Sequence, residues 1–87
     1  MKYYYQALQY YYDEKYPEAI GELSKANLIN NKIPEIHIRM GSIYWTMGLT
    51  SEAVSSWHRA YDLDKNNHEL NMFLKNHRID VAGWAQN

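Results

Sequence analysis

The chain has 87 residues, room for one small domain, and its 46% hydrophobic and 22% charged residues exclude a disordered chain. A net charge of -1, from 9 basic and 10 acidic residues spread along the sequence, gives no electrostatic footprint for nucleic acid or anionic lipid. With no cysteines, disulfides, thiolate catalysis and thiolate-held metals are out, and the redox compartment stays open.

No run nears the roughly 20 apolar residues of a membrane span, and the first residues lack the charged-then-apolar pattern of a secretory leader. The segment from Lys2 to Tyr12 sets Tyr3/Tyr10, Tyr4/Tyr11 and Tyr5/Tyr12 seven residues apart, which makes adjacent aromatic stripes on a helix. A helix apolar over so much of its circumference is expected to be buried on several sides. Asp13-Glu14-Lys15 interrupts the pattern, and Pro17 suits the first turn of a second helix, where a missing N–H costs nothing. That helix is predicted to reach Ile29, with Ala19, Ile20, Leu23, Ala26 and Leu28 as its apolar face. Asn30-Asn31-Lys32 is a polar loop, and Pro34 opens a third helix carrying Ile36, Met40, Ile43, Tyr44 and Met47 at helical spacing.

Gly48 is placed to end the third helix in a left-handed conformation, and Thr50 or Ser51 to cap the fourth. The fourth is predicted over Glu52 to Tyr61, with Ala53, Val54, Trp57 and Ala60 facing inward. After a polar loop from Asp64 to Asn67, a fifth helix from His68 to about Ala82 carries Leu70, Phe73, Leu74 and Val81, fraying at Gly83. The pattern predicts an all-α domain of antiparallel helical neighbours joined by short turns.

An offset of 34 residues links Ala26 with Ala60, Ala19 with Ala53, Glu18 with Glu52, Tyr10 with Tyr44 and Ala7 with Gly41, an internal repeat. The second copy, His37, Met40-Gly41, Tyr44, Ala53, Trp57, Ala60 and Lys65, resembles a tetratricopeptide repeat. In that family an aromatic, Leu-Gly, Tyr, Ala, Phe, Ala and Pro recur over the same period. His37 replaces the aromatic and Lys65 the proline. Tyr3, Gln6-Ala7, Tyr10, Ala19, Leu23, Ala26 and Asn31 take these places in the first copy. The resemblance implies a right-handed solenoid of antiparallel helix pairs, with repeats at 1–33 and 34–67 and a capping or partial third-repeat helix at 68–87. The third copy departs from the pattern, because Asn71, Leu74-Lys75 and Arg78 stand where the aromatic, Leu-Gly and Tyr belong. A lysine cannot take the small contact position under another helix, which favours a solvating cap; the rival reading is a piece of a longer array.

In this family the first helices of successive repeats line a concave groove that holds a peptide or helix of a partner protein. The resemblance assigns to that groove Tyr4, Leu8, Tyr11 and Tyr12 from the first helix, and Ile38, Ser42, Trp45 and Thr46 from the third. Met72, Asn76 and Ile79 follow from the fifth. Members that grip the carboxylate tails of heat-shock chaperones carry lysine, asparagine and arginine where this chain has Tyr4, Leu8, Ser42, Glu69 and Phe73, which argues against that subfamily. An adaptor or scaffold for an apolar extended segment or amphipathic helix is therefore expected, with Tyr11 and Trp45 as anchors. The alternative is a structural module that self-associates into homo-oligomers or stacks with further repeats, a reading to which Tyr5 and Tyr12 contribute. RNA binding is disfavoured by the charge.

No catalytic, cofactor or metal site is expected. His37, His58, His68 and His77 contain no pair three or four residues apart; His37 is expected to pack between helices and the other three to face solvent. Asp62, Asp64 and Asn66 alternate as calcium-loop ligands do, but Asn67 and Phe73 occupy the places of the turn glycine and the bidentate glutamate.

Overall fold

The turns between helices are set by proline and by left-handed residues. In a computed structural model, which describes residues 2–84, α1 spans Lys2–Tyr12, α2 Tyr16–Ile29, α3 Pro34–Thr46, α4 Thr50–Leu63 and α5 His68–Asn76. Pro17 and Pro34 lie in the first turns of α2 and α3, where the ring is pre-set for helix and no hydrogen bond is lost. Gly48 has φ +80° and closes α3: its N–H bonds to Trp45 O at 3.0 Å and that of Leu49 to Tyr44 O at 2.9 Å, the Schellman pair that satisfies terminal carbonyls. Glu14 (φ 59°) and Arg78 (φ 56°) close α1 and α5 by the same two bonds, 2.9 and 2.8 Å after α1 and 3.1 and 2.9 Å after α5. Neither is glycine, so each carries a local backbone cost of order 1 kcal/mol.

Three expectations are corrected. Thr50 begins α4 instead of capping it, and no side chain caps that end; Asn67 caps α5, accepting from the Leu70 N–H at 3.0 Å. Leu28 is 86% exposed, because five residues beyond Leu23 it lies on the far side of α2. α5 stops at Asn76 instead of reaching Ala82. It starts 34 residues after α3, in register, but has 9 residues against 13, one turn fewer. Beyond it the chain reverses and residues 82–84 form a turn; the last three residues of the predicted 68–87 segment lie outside the described residues.

The helices pack as two hairpins, α1 against α2 and α3 against α4, with α3 also on α2 and α5 on both α3 and α4. One buried cluster holds Ala7, Ala19, Leu23, Ala26, Ile36 and Ile43. A second holds Ile38, Ala53, Trp57, Ala60, Leu70 and Leu74, so α3 contributes to both. Members at the 34-residue offset correspond: Ala19 with Ala53, Leu23 with Trp57 and Ala26 with Ala60.

Gly41 is what admits the larger of these side chains. A Cβ at Gly41 would overlap the Trp57 indole, whose ring is fully buried. In the other hairpin the corresponding pair is Ala7 and Leu23, both buried, where a smaller partner leaves room for a methyl. A mid-helix glycine costs about 1 kcal/mol relative to alanine, and here the burial of Trp57 offsets it.

Gly41→Ala is expected to destabilise the chain by about 3 kcal/mol, the upper range for an overpacked core, and to lower its melting temperature by more than about 10 °C. In a double-mutant cycle followed by circular dichroism, Trp57→Leu rescues Gly41→Ala, with a coupling of at least about 1 kcal/mol.

Candidate functional site

The first, third and fifth helices form the walls of a cleft of about 350 Å³, lined by Leu8, Tyr11 and Tyr12 of α1, Arg39, Ser42 and Ile43 of α3 and Phe73 of α5. Four of these, Leu8, Tyr11, Tyr12 and Ser42, belong to the groove expected from sequence. Tyr11 is half-buried and lies 5.8 Å, ring to ring, from both Tyr12 and Tyr16. Tyr12 is 74% exposed and presents its phenol to solvent.

Other expected residues fall elsewhere. Ile38 is fully buried and its carbonyl accepts the Trp57 indole N–H at 3.2 Å, so it is core and cannot touch a partner. Trp45 is half-buried between Trp57, at 5.7 Å, and His77, at 4.3 Å. Its rings are used inside the protein, which removes it as an anchor. Thr46 is exposed and turns its hydroxyl back to donate to Ser42 O at 3.0 Å. Tyr4 packs against the first core cluster. Met72 and Asn76 are exposed on α5 and Ile79 packs on the second cluster; none of the three lines the cleft.

Arg39, Ile43 and Phe73 are the residues that sequence reasoning passed over. The guanidinium of Arg39 donates to Glu69 Oε2 at 2.8 Å, pinning α5 to α3. Burial alone would lower the Arg39 pKa, but hydrogen bonds to Glu69 and Tyr4 and the Glu69 charge outweigh it and hold the group above its ordinary value. The pair is part-exposed, so its net worth is at most about 1 kcal/mol. Its effect on the cleft is to neutralise the cation on the wall.

The histidines divide differently from expectation. His37 is buried, as expected, in a groove between α3 and α4 shared with Met40, Tyr44, Glu52 and Arg59. Desolvation, reinforced by the Arg59 charge, lowers its pKa from 6.5. His68 is exposed. His77 is instead half-buried, stacked on Trp57 at 5.4 Å and Trp45 at 4.3 Å, and His58 lies flat against Trp84 at 4.4 Å.

Among the described residues no group of three or more histidine, cysteine or acidic residues is placed to hold a metal. The calcium-like loop is spent on its own turn, Asp64 Oδ1 accepting from Asn66 N–H at 3.3 Å. Among the described residues no helix is long and apolar enough to cross a membrane. In comparisons with known proteins, no protein-family model matches the chain and no curated protein is significantly similar to it.

Because the fold favours neutral His37, its contribution to stability is complete above pH 6.5 and is lost as the pH falls through that value towards the lower folded pKa. Melting temperature is therefore expected to drop between pH 7 and 5 (about the range of histidine titration) by a few degrees more in the native chain than in His37→Gln. Equal slopes would assign the acid sensitivity to other groups.

Proposed function

We propose that the chain is a short right-handed array of tetratricopeptide-like repeats, acting as an adaptor that holds a segment of another protein. The observation that carries this reading is the cleft, where side chains of three helices converge on a neutral, largely apolar and aromatic surface. The matched burial of Ala19 with Ala53, Leu23 with Trp57 and Ala26 with Ala60 supports the repeat assignment, since residues at equivalent positions do equivalent packing.

The cleft also limits what it holds. One turn of helix, about 10–12 Å across and 5.4 Å long, fills on the order of 500 Å³, more than the 350 Å³ on offer. An extended segment inserting one or two apolar side chains between Leu8, Tyr11 and Phe73 suits it better than a whole helix. Arg39 is already paired with Glu69, so no free charge on the lining calls for an acidic ligand, and the tyrosine hydroxyls are available to donate to a bound backbone.

The test is to select binding peptides from a displayed random library against the native chain and measure their affinity for Leu8→Asp and Tyr12→Ala. Both side chains are at least partly exposed, so helicity is retained, and each substitution weakens binding at least about tenfold, or 1.4 kcal/mol. Unchanged affinity in both variants would place recognition on another face.

A further inference from the structure

The fifth helix begins as a copy of the third and is then cut short. Leu70 and Leu74 stand 34 residues after Ile36 and Met40 and pack into the second cluster, as Ile36 and Met40 pack into the first. At the next equivalent position, His77 in place of Ile43, α5 ends and Arg78 takes its left-handed conformation. The turn that would cover the rest of α4 is missing, and a depression stays open along Thr50, Val54 and His58.

Residues 79–84 fold back over part of the same end face. Ile79, Val81 and Trp84 pack on the second cluster. The Trp84 ring lies parallel to His58, 4.4 Å away and 9° tilted, and meets Tyr61 edge-on at 5.5 Å. An indole over these two α4 side chains covers apolar surface that a helix covers in the other hairpin.

The opposite end of the molecule is built differently. The α3 residues that pack on the first cluster, Ile36, Met40, Ile43 and Met47, correspond on α1 to Lys2, Gln6, Gln9 and Asp13, all exposed. That face has no apolar seat for another helix, so copies of the chain cannot stack end to end through it.

We infer that residues 79–84 are an end stop: Trp84 masks a self-docking face on α4 and α5, which, once uncovered, pairs with the same face of a second copy as a closed two-fold dimer. A head-to-tail contact would need the polar α1 face and would propagate, whereas an isologous one uses a single apolar face twice and closes. This goes beyond the cleft, and neither Leu8 nor Tyr12 enters it.

The test is the mass of the full chain by light scattering over a wide concentration range, for native protein, Trp84→Ala and His58→Ala, each checked for helicity. The native chain stays at its monomer mass of 10.4 kDa. Trp84→Ala doubles in mass and stops there, and His58→Ala, which unseats the indole without entering the core, does so at higher concentration. Adding Gln6→Leu and Gln9→Ile to Trp84→Ala restores an apolar α1 face and carries assembly past the dimer. Folded, monomeric Trp84→Ala and His58→Ala overturn the masked face. Growth beyond two copies without the α1 substitutions overturns the closed geometry, and loss of helicity in both single variants overturns the mask by making the segment part of the core.

Discussion

The indole of Trp57 pressed onto the bare backbone of Gly41 is the contact on which the second half of the molecule rests. It brings α3 and α4 closer than side chains would allow and buries the largest side chain in the core. The polar cost of that burial is met by the bond from its N–H to Ile38 O. Trp45, Phe73 and His77 then stack around the same ring, so α5 finds its place by reference to Trp57. Phe73 is also a wall of the cleft. The binding surface and the core therefore share one aromatic stack, and what disturbs Gly41 reaches both.

The cleft is held from two directions. Packing fixes α1 and α3 against α2, and the Arg39–Glu69 pair ties α5 across to α3. The ion pair is worth little as stability, but it orients two helices whose direct packing is light. It also leaves the aromatic and aliphatic lining to decide what binds, because the cation on the wall already has its anion.

Helix identity, the starts of α2 and α3, and the left-handed Gly48 were legible in the sequence because each has a local cause: a proline, a glycine, an apolar stripe. The repeat offset also identified most of the buried set. What the sequence concealed came from contacts made across the chain. The end of α5 is one case, since Arg78 adopts a conformation that glycine usually marks, with no residue type to announce it. Ile38 is another: a stripe read one residue out of phase puts it on the cleft, whereas the indole and α5 enclose it and present Arg39 in its stead. Trp45 looked like an anchor for a partner because aromatic residues in cores and in interfaces look alike along a helix. Only His77, arriving from the turn after α5, decides which it is.

The sharing of α3 between the two clusters bears on how the protein comes apart. Long repeat arrays melt in pieces because an interior repeat can open while its neighbours hold. Here there is no interior. Ile36 and Ile43 serve one cluster and Ile38 the other within little more than two turns of a single helix, so losing α3's helical geometry releases both at once. The chain has the periodicity of an array and the cooperativity of a globule, with α3 as the element that allows no partially folded half.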